Sequence, residues 1–321
     1  MTKILVTGGA GFIGSNFIKY MLREHPQYHI VLMDAFTYAS NIPPYLYDVK
    51  DRITVRVGDV CIRSDVDQTF FVERPDIVVN FAAETHVDRS IRHPDRFLRT
   101  NVIGTSMLMD ASLNYGVRRF HQVSTDEVYG ELPIDRPDLK FSESSPLRPC
   151  NPYSVSKASA DMLAISYFRT HGLPLTISRS SNNYGRNQHF EKLIPNAIGR
   201  IAWDVPVDIY GNGMNVREWI HVDDHCRAID MILHGGTEGE IYNVGSGVEL
   251  SNVEMVSTLF RTFGREPVLR YVEDRKGHDL RYALDCSKIR RDLGWKPQVR
   301  FEDGIRDTVD WYRNNAVTVS I

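Results

Sequence analysis

Up to Ser180 the chain alternates short β-branched runs with longer segments, amphipathic or apolar, of helical length. The short runs Ile4–Thr7, His29–Met33, Ile53–Val57, Ile77–Phe81, Arg119–Ser124 and Leu175–Arg179 are rich in β-branched residues and read as strands. A strand that is apolar along its whole length is buried on both faces, which demands a parallel sheet covered by helices on each side. Helical segments between the strands include Phe12–Leu22, Phe97–Tyr115 and Tyr153–His171. Right-handed crossovers then wind the chain into a doubly wound α/β sheet, with its ligand edge at the carboxyl ends of the strands.

After Ser180 the rhythm changes. Asn182-Asn183-Tyr184-Gly185-Arg186-Asn187-Gln188 is polar and contains glycine, so it reads as a loop. Glu240–Val244 reads as one more buried strand, and Asp274–Asp279 as a second polar loop. The division that follows is a nucleotide-binding part over residues 1–181, with 236–248 returning to its sheet. A smaller, discontinuous substrate-binding part over 182–321 lies across the ligand edge. No internal repeat or low-complexity tract is visible.

Composition narrows the partners. The 321 residues are 42% hydrophobic and 25% charged, ordinary values for a globular chain, and can bury a large core. A net charge of −3 argues against nucleic acid or an anionic membrane as the target. The start, Met1–Thr7, runs directly into glycines, without an apolar stretch suited to a leader peptide or a membrane span. Cys61, Cys150, Cys226 and Cys286 are far apart with no C-x-x-C pair. They read as isolated buried thiols of a cytoplasmic protein, with no metal site.

Chemistry enters with Gly8, Gly11 and Gly14, a G-x-x-G-x-x-G run that joins the first strand to the first helix and encloses Phe12 and Ile13. Glycines permit a tight turn and close backbone approach, and a helix N-terminus offers N–H groups to a pyrophosphate. Asp34, at the end of the second strand, is placed to accept hydrogen bonds from an adenosine ribose; its charge would repel a 2′-phosphate, which favours NAD over NADP. Asp59 and Val60 after the third strand either edge the adenine or form a turn. This is the Rossmann pattern.

Asn151-Pro152 supplies an N-cap and a first-turn proline, which starts a helix just before Tyr153. Tyr153 and Lys157 therefore share one helix face. A neighbouring ammonium and a positively charged nicotinamide should lower the tyrosine's ordinary pKa of ~10 towards that of a usable base. Thr125-Asp126-Glu127 follows the fifth strand and is either a capped turn or an acid and base held side by side.

Together, Gly8-x-x-Gly11-x-x-Gly14, Asp34 and Tyr153-x-x-x-Lys157 resemble the extended short-chain dehydrogenase/reductase family over nearly the whole chain. Within it, Thr125-Asp126-Glu127, Ala82-Ala83-Glu84-Thr85-His86-Val87-Asp88-Arg89-Ser90 and Asn182-Asn183-Tyr184-Gly185 resemble the nucleotide-sugar 4,6-dehydratases. Epimerases of that superfamily lack the acid pair, and related decarboxylases usually carry Thr-Ser-Glu. The resemblance implies a bound NAD, also held by Ala82, Ala83 and Thr100, and a nucleotide-activated glucose as substrate, dTDP-glucose first. It assigns Tyr153 to the 4-hydroxyl proton, Thr125 to that oxygen, Glu127 to the C5 proton and Asp126, protonated, to the departing C6 hydroxyl. It lines the sugar-nucleotide pocket with Thr85, His86, Asn182, Lys192, Leu193, Tyr210, Arg217, Asn252 and His278. It also implies a homodimer paired through Phe97–Tyr115 and Tyr153–His171.

Three positions depart from the dTDP-glucose pattern: Asp208 and Lys276, each where proline is usual, and Asn187-Gln188-His189-Phe190. Asp208 is read as a substrate-side acceptor for an imide or amine of the base. UDP-glucose or another nucleotide sugar stays open as substrate, as do an epimerase or decarboxylase of the same fold and a non-catalytic NAD-binding regulator.

Overall fold

The computed structural model describes residues 2–40 and 50–315. In chain order its strands are β1 (Lys3–Thr7), β2 (His29–Asp34), β3 (Ile53–Val57), β4 (Ile77–Asn80), β5 (Arg119–Thr125) and β6 (Leu175–Ser180), then β7 (Asn182–Tyr184), β8 (Val207–Tyr210), β9 (Val216–His221), β10 (Ile241–Val244), β11 (Glu249–Ser251) and β12 (Leu269–Val272). A 7-stranded sheet has the order β10-β6-β5-β4-β1-β2-β3, and every pairing in it is parallel. The chain runs outward from β1 to β3 on one side, then from β4 to β6 and β10 on the other. The direction therefore reverses between β1 and β4, which is where an open α/β sheet forms its crevice.

The all-apolar strands explain the layering. Ile4, Val6, Ile30 and Leu32 face one way and are covered by the helices Phe12–Glu24 and Val222–Gly235. Leu5, Val31, Val78 and Phe120 face the other way, beneath Arg63–Glu73, Thr105–Asn114 and Pro152–His171. Each fully buried aliphatic or aromatic side chain contributes about 1.5–3 kcal/mol, so two such layers fix the strand register firmly. A separate core around Ile194, Ile198, Trp219, Val256 and Ile305 holds the two small sheets, β11-β9-β7 and β12-β8.

Three expectations need correction. The single helix over Phe97–Tyr115 is an α turn at Pro94–Phe97, a wide π turn at Leu98–Gly104 and a regular helix at Thr105–Asn114. Asn101 is the visible cause. Its amide accepts from Glu84 N–H at 2.9 Å and donates to Glu84 C=O at 3.0 Å and Ser156 Oγ at 2.8 Å, drawing the helix towards the site. π turns recur at functional sites for this reason. Asn182–Tyr184 is a strand, paired in parallel with β9, because its backbone groups find partners there that no local signal announces. All four cysteines are free, but only Cys226 is fully buried; Cys150 is exposed and Cys61 and Cys286 are half-buried.

Candidate active site

The carboxyl ends of β1, β2, β4, β5 and β6 open onto a cleft of ≈ 630 Å³. The glycine run forms one wall. Gly8 has φ +65°, and a Cβ there would lie 2.7 Å from Ala82 N. A Cβ on Gly14 would strike the Gly8 carbonyl oxygen. Gly11 caps the helix Phe12–Glu24 without any side-chain hydrogen bond, which leaves the first-turn N–H groups to a ligand. Asp34 Oδ2 accepts from Ala10 N–H at 2.9 Å, while Oδ1 accepts from Phe36 N–H and Ser40 Oγ, each at 2.8 Å. The carboxylate is thereby fixed at the end of β2. A pyrophosphate cradle without side chains beside an oriented acid fits a dinucleotide with a free ribose hydroxyl. Asp59, Val60, Ala82, Ala83 and Thr100 line the same cleft with Phe12 and Ile13.

The reacting side chains stand opposite. β5 ends at Thr125, whose Oγ1 accepts from Glu127 N–H at 3.3 Å and caps the 3-10 turn Asp126–Tyr129. The same hydroxyl donates to Asp126 Oδ1 at 3.1 Å. Behind them the helix Pro152–His171 begins in a reciprocal cap: Asn151 Oδ1 accepts from Ser154 N–H at 2.9 Å and Ser154 Oγ accepts from Asn151 N–H at 3.1 Å. Tyr153 and Lys157, both buried, project from this helix into the cleft.

Electrostatics separate the two acids. Burial, then Glu127, then Glu218 push the Asp126 carboxyl well above the usual carboxylate range. Burial also raises Glu127, but Arg217, Lys192 and Arg275 oppose it. The arrangement keeps a proton on Asp126 in preference to Glu127. Tyr153 departs from expectation. Burial, then Glu127 and Asp126, raise its phenol, and a hydrogen bond with Thr125 opposes them. The Lys157 ammonium instead donates to Val123 C=O at 2.5 Å, and burial lowers its pKa to about 8.

The sugar-nucleotide residues fall into two groups. Thr85, Asn182 and Lys192 line the cleft, with Lys192 Nζ donating to Thr85 C=O at 2.9 Å. His86 lies in an adjoining hollow with Arg92, 3.8 Å from Glu191, and Leu193 packs into the smaller core. Tyr210, Arg217, Asn252 and His278 stand outside the cleft lining. Arg217 Nη2 donates to Asp279 C=O at 2.9 Å and its guanidinium sits 4.5 Å above the Tyr282 ring. Tyr210 meets His278 edge-on at 6.5 Å and carries Arg275 over its face at 5.2 Å. Asn252 opens the helix Asn252–Thr262, its own N–H bonded to Asn215 C=O. The reading of Asp208 as an acceptor for the base is corrected. Arg270, directly across the β8–β12 pairing, and Arg200 both donate to its carboxylate at 2.5–2.9 Å.

Sequence reasoning missed Arg275, Asp279 and Glu218, which act on the acid pair from distant segments. Arg275 and Asp279 lie in a loop whose only signal was its density of charge. The departing run Asn187–Phe190 places Gln188 and His189 in the cofactor cleft. Among the described residues, the one group of metal-type ligands close together, His25, Asp230 and His234, lies outside that cleft, its two imidazole rings stacked at 4.9 Å. Six atoms of the cleft residues, Ser124 Oγ, Asp126 Oδ2, Ser181 Oγ, Asn182 Oδ1, Gln188 Oε1 and Glu191 Oε2, are buried without a hydrogen-bond partner in the protein. An unpartnered buried polar group costs about 1–3 kcal/mol, so six among the residues of one cleft mark it as polar ground suited to a polar ligand.

Comparison with known proteins agrees. The family model of GDP-mannose 4,6 dehydratase matches residues 5–308. The chain is 50% identical over 313 residues to the low-salt glycan biosynthesis protein Agl12 of Haloferax volcanii, spanning 96% of this chain and 98% of that protein. It is 46% identical over 322 residues to the dTDP-glucose 4,6-dehydratase of Streptomyces antibioticus, spanning 98% and 93%. DesIV, a dTDP-glucose 4,6-dehydratase of Streptomyces venezuelae solved with NAD bound, superposes with a TM-score of 0.92 at 45% identity over 98% of each chain. With the fold, the glycine cradle and the acid pair in place, this near full-length match makes the chain a member of the GDP-mannose 4,6 dehydratase family, alongside the dTDP-glucose 4,6-dehydratases.

Proposed function

We propose that the protein is an NAD-dependent hydro-lyase that converts a nucleotide-activated glucose, dTDP-glucose first, into its 4-keto-6-deoxy product. The observation that carries this is the acid pair: Asp126 and Glu127 share one buried cleft with Tyr153 and Lys157, and Asp126 Oδ2 has no protein partner there. Plain oxidation of an alcohol uses a tyrosine and a lysine. Elimination of water needs a base for a carbon acid and an acid for the departing hydroxyl as well.

The residues divide the work. Tyr153 receives the proton of the sugar 4-hydroxyl, and Thr125 holds that oxygen. NAD held beside these residues would supply the hydride acceptor and donor that the reaction needs, and its positive charge would favour the Tyr153 phenolate. Glu127, kept competent for ionisation by Arg217, Lys192 and Arg275, removes the C5 proton that the 4-ketone has acidified. Asp126, held protonated by burial, gives its proton to the C6 hydroxyl, which leaves as water. Gly8, Gly11, Gly14 and Asp34 hold the dinucleotide. Arg217 and Lys192 receive the diphosphate, a role suited to a guanidinium fork and a compact ammonium. Tyr210 and His278 flank the base. The NAD-binding part takes residues 1–181 with 236–248. The sugar-nucleotide part takes 182–321, of which 316–321 fall outside the described residues.

Incubation with dTDP-, UDP-, CDP- and GDP-glucose, without added cofactor, tests the reading. A 4-keto-6-deoxy product, detected by the chromophore it forms in alkali, is expected first from dTDP-glucose. No product from any of the four, with protein shown to carry NAD, would falsify it. A product that keeps its 6-hydroxyl would instead indicate an epimerase.

The oligomer is part of the proposal. Leu98 and Ile103 on the π turn, with Val155 and Met162 on the Tyr153 helix, leave large apolar side chains 41–58% exposed. Apolar surface on two adjoining helices suits a second copy of the chain in a symmetric dimer. Met162→Lys would bury a charge there. A shift to monomer mass in light scattering is expected, and an unchanged mass would remove this face from the interface. Among the described residues no helix is long and apolar enough to cross a membrane, and the free thiols suit a cytoplasmic setting.

A further inference from the structure

The helix that carries Tyr153 and Lys157 places another buried polar residue one turn further on. Asp161 is 0% exposed. Four residues after Lys157, it stands on the same helix face. Its Oδ2 accepts a hydrogen bond from Arg179 Nε at 2.8 Å, in an ion pair closed to solvent on both sides. Arg179 comes from β6. Its Nη1 donates to the Tyr129 hydroxyl at 2.9 Å, and its guanidinium lies 4.8 Å from the centre of that ring. The Tyr129 hydroxyl donates in turn to Asn243 Oδ1 on β10 at 2.8 Å. Asp161 is thus anchored through β6 and β10, yet its Oδ1 has no hydrogen-bond partner.

Stability does not account for such an arrangement. A buried ion pair returns in attraction about what it loses in desolvation, and an apolar pair of similar volume serves a core as well. Lys157 gives the carboxylate a purpose. Its ammonium is buried, and the protein partner of its Nζ is a neutral carbonyl, that of Val123. Burial drives such a group towards the uncharged amine. Among the described residues, Asp161 is the charged group that opposes this. Asp161 also raises the Tyr153 and Tyr129 phenols, but there it is a lesser influence than Glu127 and Asp126 on the first and Glu143 on the second. Arg179, the remaining charge beside Asp161, is spent on Oδ2 and on Tyr129.

We propose that Asp161, fixed by Arg179, is a positioning residue for the hydride-transfer site, whose buried carboxylate, one helix turn from Lys157 and not in direct ion-pair contact with it, keeps the Lys157 ammonium charged in its buried seat behind Tyr153. The inference rests on the reading of Tyr153 and Lys157 given above. The lysine could not serve that site as a neutral amine, so the charge that sustains it belongs to the machinery although it touches no substrate.

Asp161→Asn keeps the shape and removes the charge. The alkaline limb of kcat, starting near pH 8 if Lys157 sets it, should move down by about one unit or more. One unit is a tenfold change in protonation equilibrium, so the rate at the original midpoint should fall several-fold while the acid plateau changes little. Asp161→Glu should restore the parent profile. Because Asp161→Asn strands the Arg179 charge, Asp161→Asn/Arg179→Gln removes both partners and should show the same displaced limb.

A second readout needs no turnover. Lys157 releases its proton at lower pH in the folded than in the unfolded chain, so the folded state binds fewer protons between those two values. Its contribution to stability therefore rises with pH from about 8 upward. The difference in unfolding free energy between the protein and its Lys157→Met variant, followed against pH, should show that onset, displaced to lower pH when Asp161 is neutral. An unmoved limb and onset in a folded variant overturn the inference. If no Asp161 variant folds, the parent protein and Lys157→Met decide: an onset near pH 8 supports the counter-charge, and one well below it refutes it. A protein inactive on all four nucleotide sugars would lose the kinetic limb and the proposed reaction, yet the stability onset would still be readable.

Discussion

Glu127→Gln is expected to stop the reaction half-way, with reduced nicotinamide accumulating in the cleft. The amide fills the same volume and keeps the turn capped by Thr125, but it cannot take the C5 proton. Tyr153 and Lys157 are untouched, and Tyr153 loses the foremost of the three acids that raise its phenol, so oxidation at C4 should proceed. Asp126 also loses the neighbouring charge that helps hold its proton, which weakens the acid needed for the hydroxyl to leave. Both effects fall on elimination. Loss of one positioned base costs roughly 10²–10⁴-fold. Mixing the variant with substrate should give a near-ultraviolet rise of reduced nicotinamide that persists, with product formation reduced by that factor. Turnover within tenfold of the parent would remove Glu127 from its role.

The second large effect is on the cofactor. Gly14→Ala would place a methyl group against the Gly8 carbonyl oxygen and 2.9 Å from Gly9 Cα. These are backbone atoms, so no side-chain rotation relieves the overlap. Opening the turn is also resisted, because Gly8 is pressed against Ala82 and held by its N–H bond to Met33 C=O at 2.9 Å. Overpacking of this kind costs about 1–3 kcal/mol, and 1.4 kcal/mol is about tenfold in affinity. Purified variant should carry less than about a tenth of the NAD released from the parent by acid, at a melting temperature that shows it is folded. Full nucleotide content would place the dinucleotide elsewhere.

How much of this was legible depended on whether the signal was local. Strands β1, β2 and β4 were readable as short apolar runs and β3, β5 and β6 through their β-branched residues, with β3 placed at Ile53–Val57 to the residue. The Tyr153 helix was readable because Asn151 and Pro152 announce its start within the sequence itself. The π turn was not, since it depends on Asn101 meeting Glu84 and Ser156, contacts between segments far apart in the chain. Asp208 shows the same limit. As a sequence it is a carboxylate in place of a proline, free to accept from a base. In the fold it sits in register with Arg270, a pairing fixed by how β8 meets β12. The seat of the Lys157 ammonium was hidden for a related reason. Spacing put Lys157 on the right helix face, but the packing of that helix on β5 turns the ammonium to Val123 C=O.

The placement of β10 has a consequence for how the molecule is made. The strand that completes the large sheet beyond β6 is Ile241–Val244, which leaves the ribosome only after β7, β8 and β9 of the smaller lobe. Until then β6 presents an open row of backbone donors and acceptors on strongly apolar strands, the kind of edge that recruits other chains. Ser181 N–H, which ends on Val244 C=O, is among the groups left waiting. A nascent chain halted before residue 241 is therefore expected to aggregate more readily than one that includes Ile241–Val244, as pelleting of the two truncated chains would show.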